Sequence, residues 1–350
     1  MIELDDIQKI HRHHGREVVE LDGVDLAVET GEICGVVGES ATGLRTLVRC
    51  VNLLDRPDGG TVVVAGQDLT GASRSALRSA RHGIGMLTDA AGDASLLARR
   101  TIARNVGLPL EFAGVRQRER DLFVDEMLDV VGLAEYAGAY PAEVGTLDRS
   151  RAAIARAFVS RPQVVLCHEP TRGLNPTAGS VVLELLRCLT RQLGVTVLLA
   201  TQDHRAVKAI CDSVALLRDG RVAEHGALSE LVRSPDSDVA EALLPALPEV
   251  AAPDAVPAAA ARATPGAAAR ARRDRLLADL TFTGEAAHEA ALTETARACG
   301  IDLSVVAGRV ETICGLSVGR LRVELIGPGE DCQRALLRFA DLHLTPKVHI

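Results

Sequence analysis

The chain has 350 residues, a net charge of −8 and 47% apolar residues, which is enough for about two domains with a proper core. The acidic balance argues against a nucleic-acid-binding protein, because such proteins carry a basic footprint. The eight cysteines contain no Cys-x-x-Cys pair, so we expect small buried apolar side chains, neither disulfides nor a zinc site. Of 39 basic residues only Lys9, Lys208 and Lys347 are lysines.

The N-terminal residues are acidic and lack the apolar core of a signal peptide, and no apolar run reaches the 18 residues of a membrane helix. We therefore expect neither export nor a membrane-spanning helix. From residue 1 to about 233, short apolar runs alternate with longer amphipathic ones. This alternation predicts an α/β fold with a mainly parallel sheet. The predicted strands are residues 33–37, 61–64, 164–167, 195–200 and 214–217, and the predicted helices are residues 121–131 and 181–193.

Residues 234–274 are rich in Ala, Pro and Arg and have few large apolar side chains, which predicts a linker with patchy helix. Residues 275–350 have the order strand, helix, strand, strand, helix, strand. This order is typical of a small ferredoxin-like βαββαβ domain, a type that often senses a ligand. The predicted elements are residues 276–283, 289–299, 301–310, 316–326, 330–342 and 344–350.

A glycine-containing loop follows the first predicted strand of the parallel sheet and precedes a helical pattern. Strand, loop and helix in this order are the setting of a phosphate-binding loop, G-x-x-x-x-G-K-[ST]. The two glycines have the right spacing for a tight turn whose backbone N–H groups hold an anion. The lysine and the magnesium-binding hydroxyl are missing. The loop reads Gly38, Glu39, Ser40, Ala41, Thr42, Gly43, Leu44, Arg45 and Thr46.

Four further segments carry a family resemblance, namely RCVNLLDRPDGGTVVVAGQDLT, YPAEV, AAIARAF and VKAICDSVALLRDGRVAEHG. The chain resembles the ATP-binding subunits of ABC transporters, and among them the methionine-importer type. The resemblance spans nearly the whole chain and implies a P-loop NTPase-like ABC ATP-binding domain followed by a ferredoxin-like regulatory domain. It places the domain boundaries near residues 233 and 275 and implies ATP and Mg²⁺ as cofactors.

The family's active-site positions are mostly changed in this sequence. Leu44 stands for the phosphate-loop lysine and Arg45 for the magnesium hydroxyl. Glu169, in the position of the catalytic base, is retained. The other matched positions are His11 for the adenine-stacking aromatic, Asp89 for the glutamine that senses Mg²⁺ and the permease, Val144, Gly145, Thr146, Leu147 and Asp148 for the signature, His168 and Asn175 for two aspartates, and Gln202 for the switch histidine.

These changes weaken the expected nucleotide chemistry. A lysine–phosphate contact contributes about 10- to 150-fold in affinity, and Leu44 does not supply it. Mg²⁺ prefers hard oxygen ligands, which neither Arg45 nor His168 provides, and position 89 has also changed, so no magnesium site is predicted. Phosphoryl transfer depends on charge neutralisation, so loss of the metal matters more than retention of Glu169. We expect hydrolysis to be very weak or absent.

The resemblance implies a subunit that lies on the inner face of the cell membrane beneath a permease, together with a solute-binding protein. It implies a head-to-tail dimer with a second copy or with another ATP-binding subunit, and neither pairing completes a nucleotide site. The permease contact would lie in the helical region, residues 90–160. The alternative is a non-hydrolytic pseudo-ATPase that regulates by sensing a small molecule, with methionine at the C-terminal domain as a candidate ligand. An inert paralogue is a third interpretation.

Two histidine features allow a structural and a functional interpretation. His11, His13 and His14 lie in a predicted turn and are interpreted either as a metal site or, with no ligand-spaced carboxylate or cysteine nearby, as solvated surface. His204 lies two residues beyond Gln202 and either replaces the switch histidine or begins a helix.

Overall fold

The computed structural model describes residues 1–13, 16–88, 96–234, 236–244, 247, 274–283, 289–313, 316–342 and 344–349. The chain divides into two compact units, Met1–Leu228 and Ser229–Ile350. The predicted linker and domain limits stay predictions, because most of the linker lies outside the described residues.

The first strands of the first unit form an antiparallel sheet. Its strands are β1 (Ile2–His13), β2 (Arg16–Val28), β4 (Gly59–Val64) and β5 (Gln67–Asp68), in the order β2-β1-β4-β5. Ile2 and Leu4 are buried on one face of β1, and Ile7 is buried after a register shift between Leu4 and Ile7, as expected for a sheet with one face on the core. His11 lies in β1 and not in the predicted turn, because residues 8–13 pair with β2.

A six-stranded sheet forms the centre of the first unit. Its strands are β3 (Ile33–Gly38), β6 (Ile84–Thr88), β7 (Val164–His168), β8 (Thr196–Thr201), β9 (Ser213–Arg218) and β10 (Arg221–Ala227). The order is β10-β9-β3-β8-β7-β6, with β10 antiparallel and the other neighbours parallel. Every residue of β3, β7 and β8 is buried, which explains why these strands are continuous apolar runs in the sequence. Their carboxyl ends share one sheet edge.

Nine helices follow in chain order from Ala41 to Leu231 among the described residues, and the last of them spans the boundary between the two units. They are α1 (Ala41–Val51), α2 (Arg74–His82), α3 (Ile102–Val106), α4 (Leu108–Phe112), α5 (Gln117–Val130), α6 (Thr146–Phe158), α7 (Pro176–Leu193), α8 (His204–Ile210) and α9 (Leu228–Leu231), with 3-10 turns at Ala134–Tyr136 and Pro141–Glu143. Helix α7 begins five residues before the prediction because Asn175 caps it and proline fits its first turn. Gly194, with a φ of 64°, ends it.

The second unit contains α10 (Asp238–Leu243), β11 (Asp274–Thr283), α11 (Glu289–Cys299), β12 (Asp302–Ile313), β13 (Leu316–Gly327), α12 (Gly329–Asp341) and β14 (Thr345–His349). The strands form an antiparallel sheet in the order β12-β13-β11-β14. The element order from β11 to β14 is the predicted βαββαβ. Phe282, Val323 and Phe339 lie in its apolar core. Helix α10 lies within the predicted linker and buries Val239 and Leu243.

Within the part of the chain that the structure describes, no helix combines the length and the apolar character that crossing a membrane requires.

Candidate functional site

The loop that the sequence predicts to bind phosphate connects β3 to α1 at the carboxyl edge of the parallel sheet. Gly38 is required there, because a Cβ at this position would lie 2.7 Å from the backbone oxygen of Leu217 in β9. Ser40 caps α1, and its Oγ accepts the backbone N–H of Gly43 at 3.1 Å. One of the loop N–H groups is therefore bonded within the protein and is not directed at a ligand.

The side chains of the next two positions point to different environments. Leu44 is completely buried in the core cluster that also contains Leu47, Val36 and Leu166. Arg45 is exposed on the surface of α1. Successive residues of a helix lie about 100° apart, so Arg45 does not occupy the direction taken by the side chain at position 44. Position 44 thus contributes apolar burial and no cation.

Hydroxyl groups near the loop are also engaged within the protein. The Ser40 and Thr42 hydroxyls are 2.9 Å apart. The hydroxyl of Thr46 donates a hydrogen bond to the Glu20 carboxylate on β2. His11 contacts the same carboxylate, with Nε2 at 3.5 Å. The Thr46–Glu20 hydrogen bond therefore connects α1 to β2, and His11 lies beside it.

His168 ends β7 and is only 6% exposed. Its Nε2 has no hydrogen-bond partner among the described residues. Burial, reinforced by the positive charges of Arg45 and Arg172, lowers the pKa of His168 below its ordinary value, although the Glu169 carboxylate and the Ala41 backbone act in the opposite direction. The imidazole is therefore neutral near pH 7.

We expect this burial to make stability depend on pH. In the unfolded chain His168 titrates near 6.5. As the pH falls below that value, His168 becomes protonated in the unfolded chain but stays neutral in the folded chain, where its pKa is lower. The free energy of unfolding therefore decreases. His168→Gln removes this contribution. Urea unfolding of parent and variant at about pH 7.5 and about pH 5.5 should show a smaller loss for the variant. Equal losses would contradict a buried neutral imidazole.

Glu169 follows directly and is held from two sides. Its carboxylate accepts the hydroxyl of Thr201 at 3.0 Å and the backbone N–H of Gln202 at 2.7 Å. Its backbone φ of 49° lies in the left-handed region, which is uncommon for a residue other than glycine. Strained backbone that persists is over-determined by its surroundings, here by β8, and such strain is frequent at functional sites.

Gln202 links the end of β8 to the phosphate loop. Its side-chain amide donates to the backbone oxygen of Glu39 at 2.5 Å. His204 is the first residue of α8, whose N-cap is Asp203, so the helix-start interpretation is confirmed. The carboxylate of Asp203 also accepts the hydroxyl of Thr171 at 3.1 Å.

The signature positions lie in the helical region, apart from the loop of the same chain. Gly145 is the N-cap of α6, and Val144 is buried. The carboxylate of Asp148 lies in the first turn of α6 and pairs with Arg151 at 3.3 Å. A helix N-terminus attracts anions, and a carboxylate already in its first turn opposes a bound phosphate. Thr146 and Leu147 are the first two residues of α6.

A cavity of about 580 Å³ lies beside α1, at the edge where β6 and β7 end. The structure brings together in its wall three of the residues that the sequence singled out, His11, Arg45 and His168. Sequence reasoning missed Arg49 and Arg172, which line the same cavity. Arg172 follows Glu169 by three residues, and this nearness in sequence is a signal that could have indicated it. Asp89 lies outside the described residues.

Among the described residues of this cavity, the two that match metal-ligand positions of the family do not fit Mg²⁺. Arg45 and His168 offer nitrogen atoms where the metal needs oxygen. The carboxylate in the wall, Asp55, accepts two hydrogen bonds from Arg49, at 2.6 and 2.9 Å. Over the described ranges, no group of three or more His, Cys, Asp or Glu side chains is arranged to hold a metal ion.

Two family models match successive parts of the chain. A family model described as ABC transporter matches residues 21–172, and one described as NIL domain matches residues 276–348. The methionine import ATP-binding protein MetN of Streptomyces avermitilis is 44% identical over 337 residues, which cover 95% of this chain and 90% of the relative. The chain belongs to the MetN family of ABC transporter ATP-binding proteins. A second family member, from Symbiobacterium thermophilum, is 40% identical, and the match covers 99% of both chains.

Solved structures confirm the predicted fold class. The dimeric post-hydrolysis structure of the ATP-binding cassette MJ0796 bound to ADP and Pi has a TM-score of 0.59 and 26% identity, and covers 65% of this chain and 99% of that chain. A cbiO1 structure from Clostridium perfringens has the same TM-score at 24% identity, covering 66% of this chain and 89% of its own. Both likenesses concern the ABC cassette.

Proposed function

We propose that this chain is the ATP-binding subunit of a methionine-type amino-acid importer in which ATP hydrolysis is weak or lost. The first half of the proposal is supported by the full-length relatives named methionine import ATP-binding protein. The second half is carried by one observation: Leu44 is buried in the core, and Arg45 and His168 stand where oxygen ligands for Mg²⁺ would be.

The site roles are assigned on the same basis. Residues 38–46 form the phosphate loop, residues 144–148 the signature segment, and His11 the adenine side. Glu169 holds the position of the base, and Asp89 and Gln202 those of the two sensing residues. The carboxylate of Glu169 accepts hydrogen bonds from Thr201 and Gln202. These bonds support a structural role for Glu169 that does not depend on catalysis. In this proposal the cassette spans residues 1–233, and residues 275–350 form the regulatory domain.

A second cavity supports a permease contact on the inner face of the membrane. It has a volume of about 890 Å³ and lies between α2, α4 and α6. Phe112, 72% exposed, lines it together with Leu108, which supplies an apolar anchor. Arginines at positions 56, 74, 78, 81 and 156 surround that anchor. Such a wall is complementary to an acidic segment of the permease that carries one or two apolar side chains.

Purified full-length protein tests the proposal, alone and co-expressed with a permease. We expect it to co-purify with the permease and to show Mg²⁺-ATP turnover no higher than buffer. Turnover of about 1 s⁻¹ or more, within the ordinary range of enzymes, would refute the loss of hydrolysis.

The same preparation separates the subunit from a free-standing sensor. Failure to co-purify, together with a rise in melting temperature on adding methionine but not ATP, would favour a regulatory pseudo-ATPase. Under either result the ATP-turnover measurement stays decisive for the loss of hydrolysis.

A further inference from the structure

The side chain of Gln202 joins the end of β8 to the loop after β3. These two strands are parallel neighbours, and their last registered pair is Val37 with Thr201. Gln202 directly follows this pair, and its side-chain amide donates a hydrogen bond to the backbone oxygen of Glu39, the first residue after β3. The contact therefore lies just beyond the ladder of the two strands and holds the start of the loop to the end of β8.

Residue 202 is itself positioned by Glu169, which follows the end of β7. The buried carboxylate of Glu169 accepts the backbone N–H of Gln202 at 2.7 Å and the hydroxyl of Thr201 at 3.0 Å. The backbone N–H of Glu169 donates to the oxygen of Ala200 at 2.9 Å. Gln202 thus contacts Glu169 through its backbone and the loop through its side chain, so a substitution at position 202 removes the second contact and keeps the first.

The far end of the loop is held by separate contacts. The Oγ of Ser40 accepts the backbone N–H of Gly43 at 3.1 Å, and the hydroxyl of Thr46 donates to the carboxylate of Glu20 on β2. A loop with glycines has a large conformational freedom to lose, and hydrogen bonds at both of its ends restrict that freedom. With the Gln202 contact at its start, the loop is ordered by the protein's own side chains.

We propose that the side chain of Gln202 fixes residues 38–46 in one conformation in the ligand-free protein, with Glu169 as the positioning residue. The conformation of the loop then does not depend on a bound nucleotide, because a ligand shifts a conformational equilibrium only where two states are populated and bind it differently. This inference rests on the proposed function for the assignment of residues 38–46 as the phosphate loop.

Hydrogen–deuterium exchange of the full chain, measured by mass spectrometry of peptides that cover residues 38–46, tests the proposal. Gln202→Ala removes the side-chain donor and keeps the backbone N–H. We expect exchange in the loop to become about 2- to 10-fold faster, as for the loss of one net hydrogen bond. Gln202→Glu has the same size without the donor and should show the same effect. Peptides from β7 and β8 should exchange as in the parent, which separates a local release from a general loss of stability.

The matched control is Gln163→Glu, the same chemical change at an exposed position directly before β7. Its loop should exchange as in the parent chain. Glu169→Ala should accelerate exchange in the loop, because residue 202 loses its backbone partner. Glu169→Gln should restore slow exchange, since its side-chain oxygen still accepts the N–H of Gln202.

Two results would overturn the proposal. One is exchange in the loop equal to that of the parent in both Gln202 variants. The other is slowing of loop exchange in the parent by more than about 2-fold on adding Mg²⁺-ATP, because a loop already held in one conformation gains little order from a ligand.

The two proposals fail in different ways. Turnover of Mg²⁺-ATP refutes the proposed loss of hydrolysis whatever the exchange of the ligand-free loop shows. Absence of turnover together with unchanged loop exchange in the Gln202 variants refutes only the inference about Gln202.

Discussion

The triple variant Leu44→Lys, Arg45→Ser, His168→Asp is expected to bind Mg²⁺-ATP about 10- to 150-fold more tightly than the parent chain. The lysine adds a charge-assisted contact to phosphate, and the serine and aspartate add oxygen ligands for the metal. Removal of Arg45 also removes a positive charge from the position that matches the family's magnesium hydroxyl. Titration with ATP in excess Mg²⁺ measures the gain.

A matched control carries equal numbers of substitutions without the new chemistry: Leu44→Met, Arg45→Gln, His168→Asn. It should show no gain in Mg²⁺-dependent affinity. If the restored variant also shows none while its circular dichroism is that of the parent, the defect extends beyond these positions. The structure identifies two places where it would lie, the Gly43 N–H bonded to Ser40 and the carboxylate of Asp148 at the start of α6.

Leu44→Ala is expected to destabilise the first unit by about 2–5 kcal/mol, the range for a fully buried leucine truncated to alanine. Leu44 has no exposed surface and packs with the strands and helix of the larger core. Urea unfolding followed by circular dichroism measures the change in the first unit's transition. The neighbouring substitution Arg45→Ala is the control. It should change stability by about 0.5 kcal/mol or less, because the side chain is exposed and unpaired within the described residues.

The size of this loss shows whether the side chain at position 44 packs in the core or faces the loop. A loss below about 1 kcal/mol for Leu44→Ala would mean that side chain 44 is not part of the core and remains available to the loop. A large loss means that the position has become a packing residue, and that Leu44→Lys costs stability before it gains a phosphate contact. The restored variant should therefore be compared with the parent at a temperature where both are folded.

Local sequence patterns predicted much of the fold. Strands β3, β7, β8 and β9 are apolar runs flanked by helical patterns, and the structure places each within one or two residues of its predicted limits. Helix starts were less accurate: α5 begins at Gln117, four residues before the prediction, because its first turn is polar and exposed and carries no apolar period. The burial of α10 was not predicted, since an Ala-rich segment shows little about its partners.

The candidate site was predictable only in part. The strand, glycine loop and helix predicted where a phosphate would lie, and the residues that replaced Lys, Ser and Asp were readable from spacing and resemblance. The sequence did not predict the hydrogen bonds that Glu169 accepts from Thr201 and Gln202, or the one that Gln202 donates to Glu39. These residues lie far apart in sequence. The roles assigned to the other positions stay predictions until nucleotide binding is measured.

The sequence by itself determined five strands of the first unit, the βαββαβ order of the C-terminal elements and the absence of a lysine after Gly43. Each depends on local pattern or on identity at one position. The tertiary structure alone decided that Leu44 faces the core and that Arg45, His168 and Arg172 meet around one cavity. Strand order decides which loops share a sheet edge, and hence which distant side chains come together. For this protein that edge brings the side chains of Arg45, His168 and Arg172 to one cavity.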